Sequence, residues 1–323
     1  MFSIPKNLEE LAHRGKPAIA QVLSMIEADT DNPQLIHLLD QAHETAKGQV
    51  LGLTGPPGVG KSTLSAAMID HYRKSNQTVG VIAVDPSSRV SGGALLGDRI
   101  RLNAAPDDEG VFIRSFSNQG RLGGLSQATY AAMVIMRAQF DLVIVETVGV
   151  GQSESAIMDI ADTVILCIQP GSGDSIQFMK SGIMELPHII VVTKADMGTS
   201  ARIAFADVEG ALGLRTRTAN SHPVKVAMIS ASTGEGMETL LTMIAQHFSA
   251  LEQAGDLNRD RCIKAGLWIR DVILTRFGEE GWHRAQPLLG EFQELPVFTR
   301  KIAILDKLQV ATCSKLNLPA ILG

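Results

Sequence analysis

Gly55, Gly60, Lys61 and Ser62 hold the spacing G-x-x-x-x-G-K-[ST] inside the stretch GPPGVGKST. The apolar run VLGLT precedes it and the helix-compatible LSAAMIDHYRK follows, the strand, loop and helix order that a phosphate-binding loop requires. Glycines let the backbone curl until the N–H groups of successive residues, here Gly58, Val59, Gly60, Lys61, Ser62 and Thr63, can face one anion. The N-terminal end of the following helix adds its positive dipole end. Lys61 is placed to reach the β- and γ-phosphates of a nucleotide, and the Ser62 hydroxyl to hold Mg2+.

A second motif selects the base. Thr193, Lys194, Ala195 and Asp196 spell TKAD after the run HIIVV, in the order and at the distance where guanine-binding proteins carry [NT]-K-x-D. An aspartate accepts both the N1–H and the exocyclic N2–H of guanine, and adenine offers neither at that edge. Lys194 can lay its stem over the base plane, and Ser230, Ala231 and Ser232 form an S-A-x loop whose backbone can meet the guanine carbonyl. GTP/GDP is therefore the expected ligand.

Between the two motifs runs DLVIVETVGVGQSE. An apolar strand ending in Glu146 and followed by Gly149 has the form of a Walker B and switch region, with the carboxylate acting on magnesium directly or through water and the glycine N–H sensing the γ-phosphate. A buried strand-end carboxylate without a cation would cost several kcal/mol if unpaired. Asp85 ends the run VGVIAVD, and Asp98 stands in the glycine-rich stretch SGGALLGDR; both can complete a metal shell. The expected catalytic set is Lys61, Asp98, Glu146 and Gly149, and the expected metal ligands are Ser62, Asp85, Asp98 and Glu146. Arg89, Arg99, Arg101 and Arg121 are all open as a catalytic arginine.

These residues need a scaffold that delivers strand ends to one place. Seven short β-branched runs (VLGLT, VGVIAVD, VFIRSF, DLVIVET, TVILCIQ, HIIVVTK and VKVAMISA) alternate with longer helix-compatible stretches, which predicts a mostly parallel sheet covered by helices on both faces. Before them, residues 3–47 carry helical spacing, with Ile19, Val22, Leu23 and Ile26 on one face and Asn32-Pro33 as a helix start. After about Leu251 the strands stop. There Ile263, Leu267, Trp268, Ile269, Val272, Ile273, Leu274 and Phe277 cover too broad an arc for one buried stripe, so this helix is expected to touch two bodies, its own domain and a second subunit.

The chain's 323 residues, 45% of them hydrophobic, can bury one large or two modest cores. No apolar run approaches the roughly 18 residues that span a bilayer, and the start MFSIPKNLEE lacks a signal peptide's regions, so no membrane is expected and a cytoplasmic location is. Three widely spaced cysteines give neither a disulfide framework nor a zinc site. A formal charge of −5 with 4% aromatic residues argues against a nucleic-acid partner.

Taken together, GPPGVGKST, AVDPSS, GGALLGDR, RLGGLSQ, ETVGVGQSE and QPGSGDSIQ resemble the MeaB/ArgK family of P-loop GTPases over roughly residues 10 to 280. The resemblance implies a magnesium-dependent GTPase, slow without its partner, that binds an adenosylcobalamin-dependent methylmalonyl-CoA mutase, gates cofactor delivery and protects the enzyme. It also implies an N-terminal helical extension (1–48), a P-loop GTPase domain (49–250) and a C-terminal helical arm (251–323) that forms a homodimer. Residues 85–101 and 146–159 correspond to two switches, and 169–182 to a third that senses the partner. Two departures stand out. Gln177, Phe178, Met179, Lys180, Ser181 and Gly182 occupy the place of Q-G-I-K-K-G, with Ser181 where a lysine is common, and TKAD replaces NKAD. The tail after about Gln286, ending KLNLPAILG, lies beyond the span of the resemblance. The alternatives are a nickel-insertion GTPase, which would want clustered His and Cys rather than eight scattered histidines, a P-loop kinase of the older arginine and ornithine transport label, and a GTP-binding scaffold without turnover.

Overall fold

The computed structural model describes residues 3–45, 48–85, 108–117, 125–147, 156–171, 187–213 and 223–315. Two helices open it, α1 (Leu8–Ala28) and α2 (Pro33–Thr45). The side chain of Asn7 caps α1 by accepting the Glu10 N–H at 2.8 Å, satisfying one of the donors that a helix start leaves free. The face predicted from Ile19, Val22, Leu23 and Ile26 is buried. Asn32 accepts the Gln34 N–H at 3.1 Å just ahead of α2, the helix start that Asn32-Pro33 predicts.

Strands and helices then alternate: β1 (Gln49–Thr54), α3 (Lys61–Lys74), β2 (Val79–Asp85), β3 (Val111–Ser117), α4 (Gln127–Gln139), β4 (Leu142–Thr147), β5 (Thr163–Ile168), β6 (Ile189–Val192), α5 (Thr199–Gly213), β7 (Lys225–Met228) and α6 (Met237–Gln253). Every one of the seven apolar runs forms a strand. They make one sheet in the order β3-β2-β4-β1-β5-β6-β7, and all neighbours pair in parallel. Parallel neighbours require crossovers long enough to carry helices. β1, β4, β5 and β6 are therefore almost wholly buried, whereas the edge strands β3 and β7 are half-exposed.

Alternation along each strand sends side chains to opposite faces. Val50, Val143 and Val145 join α1, α2 and α4 in one core. Leu51, Leu53, Leu142 and Ile144 join Leu64 and Met68 of α3 and Leu240 and Ile244 of α6 in the other. Two further helices, α7 (Asp256–Glu291) and α8 (Val297–Lys315), close the first face. α7 bends at Gly278, where φ is 63°, a value glycine adopts without steric cost. Trp268 of α7 lies between Tyr130 of α4 and Phe298 of α8, with ring centroids 4.6 and 4.9 Å away. Buried Asp40 of α2 accepts the Phe298 N–H at 2.7 Å, so one helical extension caps the other. The broad apolar arc of α7 divides: Trp268, Ile269, Val272 and Ile273 are buried, while Ile263 and Leu267 are 55% and 40% exposed. Among the described residues no helix is long and apolar enough to cross a membrane.

The edge of the sheet where strands begin is held by charge. Arg261 of α7 donates to both carboxylate oxygens of Asp162, at 2.9 and 2.6 Å, and to the Gly48 carbonyl at 2.8 Å. Asp162 also accepts the Val50 N–H at 2.9 Å. Both side chains are buried, so removing one would leave the other charged and desolvated. We expect Arg261→Ala to lower the unfolding free energy by about 3–5 kcal/mol, and the double substitution Asp162→Leu with Arg261→Met to recover much of that loss. Urea denaturation followed through Trp268 and Trp282, both on α7, measures it.

Beside this pair, the buried Nε2 of His43 has no hydrogen-bond partner among the described residues. Burial, and after it the cations of Arg137, Arg261 and Arg300, pull the His43 pKa down to about 4, against about 6.5 in an unfolded chain. Between those values the unfolded chain takes up a proton that the folded chain refuses, so stability is complete above about pH 6.5 and falls as pH drops toward 4. His43→Gln should lose less stability than the wild type between pH 7 and pH 4.5, by on the order of 1–3 kcal/mol. Equal losses in urea denaturation of both proteins would count against it.

Candidate functional site

Parallel pairing brings the C-terminal ends of β1, β4, β5, β6 and β7 to one edge of the sheet. β1 is also where the strand order reverses, since the chain goes from it first to β2 on one side and later to β5 on the other; such reversal points are where open α/β sheets bind ligands. The predicted phosphate loop leaves β1 at this point. Gly55, Gly58 and Gly60 have φ of 138°, 76° and 105°, the positive range that side chains rarely take. A Cβ on Gly55 would also stand 2.4 Å from the Cys167 carbonyl oxygen of β5. Val59 is fully buried and anchors the loop in the core beneath it.

Gly60 is the N-cap of α3 and makes no side-chain cap bond, so the helix start presents its backbone donors to the loop. The buried Lys61 ammonium donates to the Gly55 and Pro56 carbonyls at 2.7 and 3.1 Å, which keeps it over the loop. Ser62 donates to Glu146 Oε1 at 2.8 Å, and Ser65 to Oε2 at 3.0 Å. Glu146, next to last in the buried strand β4, lies opposite Leu53 of β1 and is only 8% exposed. A hydroxyl and a carboxylate side by side are hard oxygen donors of the kind Mg2+ takes. The Thr63 side chain is exposed at the first turn of α3. Cys167, against the loop from below, is fully buried, and burial pushes its thiol up to about 12.

The TKAD segment, predicted to read the base, is joined to the same loop. Thr193 Oγ1 donates to the Val59 carbonyl at 2.7 Å, so the threonine that replaces asparagine keeps a bond from strand end to phosphate loop. Lys194 has the left-handed φ of 57°, and its ammonium donates to the Gly58 carbonyl at 3.0 Å and to Gln169 Oε1 at 2.7 Å. Asp196 follows, exposed, in a single 3-10 turn (Ala195–Met197). The Ala195 N–H bonds the Ile229 carbonyl at 2.9 Å, which sets the turn against the loop after β7. There Ser230 is buried with its Oγ 3.0 Å from that of Ser232, and Ala231 is half-buried between them.

Of the predicted site, the structure thus brings together Gly55, Gly58, Val59, Gly60, Lys61, Ser62, Thr63 and Glu146, and beside them Thr193, Lys194, Asp196, Ser230, Ala231 and Ser232. Asp85 ends β2 next to β4, but its side chain lies outside the described residues, as do Asp98, Gly149, Ser181 and the four candidate arginines. Two participants, Ser65 and Gln169, are not among the predicted nucleotide-site residues, although Gln169 opens the segment 169–182 predicted to sense a partner. Ser65 stands three positions after Ser62 on α3, the spacing that shares a helix face. Gln169 directly follows β5, a position that parallel topology delivers to the site.

Comparison with known proteins agrees with this geometry. A protein of Pyrococcus horikoshii named as a GTPase is 38% identical over 91% of this chain and 92% of its own length. The Mus musculus protein "Methylmalonic aciduria type A homolog, mitochondrial" is 32% identical over 91% of this chain and 70% of its own. A solved structure titled "LAO/AO transport system kinase" superposes with a TM-score of 0.66 at 27% identity, covering 94% of this chain and 96% of that one. Residues 19–284 match the family described as "Methylmalonyl Co-A mutase-associated GTPase MeaB", and with its phosphate loop, guanine-type turn and parallel sheet in place this chain belongs to that family of P-loop GTPases.

Proposed function

We propose that the chain is a GTP-hydrolysing switch that assists an adenosylcobalamin-dependent acyl-CoA mutase, with methylmalonyl-CoA mutase as its first candidate, by gating cofactor loading and protecting the enzyme. The observation that carries the client assignment is the family match over residues 19–284, whose description names that mutase. The site supports the switch half of the reading. Loop N–H groups and the start of α3 face the phosphates of GTP, and Lys61 can exchange its two loop carbonyls for phosphate oxygens. Asp196 accepts guanine N–H groups, with the Ser230–Ser232 loop on the far side of the base.

Mg2+ is assigned to Ser62 and Glu146, with Asp85 and Asp98 completing its shell. The donor chemistry fits, since the buried Glu146 carboxylate already meets the Ser62 hydroxyl at 2.8 Å. When bound, the ion offsets charge on the phosphate oxygens. Gly149 is assigned to γ-phosphate sensing and 169–182 to contact with the client. The 251–323 segment is the proposed dimerisation arm of a homodimer acting in the cytoplasm, and exposed Ile263 and Leu267, one turn apart on α7, suit such a contact.

A switch informs its client only if the client distinguishes its two nucleotide states, and the coupling of the binding equilibria is reciprocal. The cognate mutase should bind the GTP-analogue and GDP forms with different affinities and raise GTP turnover at least about tenfold, roughly 1.4 kcal/mol of barrier. Titration calorimetry with both forms, together with phosphate release with and without the mutase, tests this; equal affinities and an unchanged rate would refute the switch. Binding and chemistry should separate as well. Lys61→Ala removes charge compensation and should weaken GDP and GTP by roughly 10- to 100-fold, while Glu146→Ala should reduce magnesium-dependent hydrolysis more than GDP affinity. Calorimetry for affinity and single-turnover hydrolysis across magnesium concentrations compare the two variants.

A further inference from the structure

Lys194 carries a long, flexible side chain on a backbone conformation that few non-glycine residues adopt. Its φ of 57° is one of two positive values among the described non-glycine residues. A lysine loses much rotamer freedom when it is fixed, so a site that needs this stem over a purine binds more tightly if the stem is already held there. The Gly58 carbonyl, 3.0 Å from the ammonium, belongs to the phosphate loop itself. The shorter bond, 2.7 Å, comes from Gln169 Oε1, a side chain outside both motifs.

Gln169 is well placed to hold another residue. It follows β5 directly, where Ile168 is in register with Val192 of β6. The Thr193 N–H also bonds the Ile168 carbonyl at 2.8 Å, so the backbones that bear Gln169 and Lys194 are fixed to one another. Pro170, the next residue, is buried and pre-sets its own φ. The amide oxygen therefore reaches the ammonium from a rigid base.

We propose that Gln169 is a positioning residue for the guanine nucleotide, holding the Lys194 side chain in its base-stacking position through the bond between Gln169 Oε1 and Lys194 Nζ. The inference rests on the assignment of Lys194 and Asp196 to the base. Gln169→Ala should lower GDP affinity about tenfold, the scale of one hydrogen bond to a charged group, and that loss should exceed any fall in the single-turnover hydrolysis rate. Gln169→Glu keeps an acceptor for the ammonium and should restore most of the affinity, while Gln169→Leu should not. In a Lys194→Met background, Gln169→Ala should have no further effect.

Calorimetry with GDP on the full chain reads the wild type and these five variants, and Asp196→Asn titrated with xanthosine diphosphate runs in parallel. A GDP affinity within twofold of wild type for Gln169→Ala, or a loss that simply adds to that of Lys194→Met, overturns the assignment of Gln169. If Asp196→Asn gains no preference for xanthosine diphosphate over GDP, the assignment of the base itself falls. A gain there with an unaltered Gln169→Ala removes only the Gln169 proposal.

Discussion

Everything at this site follows from parallel pairing. Seven strands that run the same way must finish on the same edge, and among the described crossings α3, α4 and α5 cover the faces of the sheet. Residues more than 130 positions apart, such as Val59 and Thr193, meet at 2.7 Å for that reason alone. The same constraint buries the central strands on both faces, which confines polar side chains to strand ends. Thr54, Glu146, Thr147 and Thr193 all occupy such ends and all are buried. Each then needs a partner, because a desolvated polar group without one costs on the order of 1–3 kcal/mol. Their partners are one another, the phosphate loop, Ser65 of α3 and carbonyls of neighbouring strands, so the demand for satisfaction helps assemble the site.

The two edges of the sheet answer this demand differently. Where strands begin, Arg261 and Asp162 form a bidentate pair with further bonds to Gly48 and Val50. That arrangement pairs both buried charges and ties α7 to the first strand. Arg137 beside it is less well served: its Nε and Nη2 have no hydrogen-bond partner among the described residues, and burial brings its pKa down to about 10. Where strands end, the bonds instead join groups that a nucleotide could replace. Lys61 on two loop carbonyls and Ser62 on Glu146 are of this kind. Stability and exchangeable chemistry are thus divided between opposite edges.

Much of this was legible in the chain itself. The seven strands announced themselves because a doubly buried parallel strand must be a nearly continuous β-branched run. The phosphate loop was legible because positive φ at three places demands glycine at three places. Strand order was not legible, since local apolar runs carry no record of which neighbour they pair with. The contacts of Ser65 and Gln169 are not legible for that reason: a serine on α3 meets Glu146 only because β1 and β4 are adjacent, and Gln169, first residue of the predicted partner-sensing segment, meets Lys194 only because β5 and β6 are. The broad apolar arc of α7 was read as two contact faces, and the structure divides it into a buried stripe and the exposed pair Ile263 and Leu267.

The threonine of TKAD shows how such a departure is absorbed. An asparagine would bring an amide with two donors and an acceptor, whereas threonine has one hydroxyl on a short, branched stem. At Thr193 the hydroxyl lies within reach of two carbonyls, Val59 at 2.7 Å and Ile168 at 3.2 Å, and its own N–H is held by the second of these. The hydroxyl can donate to only one carbonyl at a time, and the shorter distance assigns it to the phosphate loop. The neighbouring Lys194 makes its own bond to the loop at Gly58. Two successive residues therefore fasten the TKAD turn to two adjacent residues of the phosphate loop, and a shift of either segment is felt by the other. A nucleotide that spans both would then meet its phosphate and base contacts already in register, with part of the ordering cost of binding met by the fold.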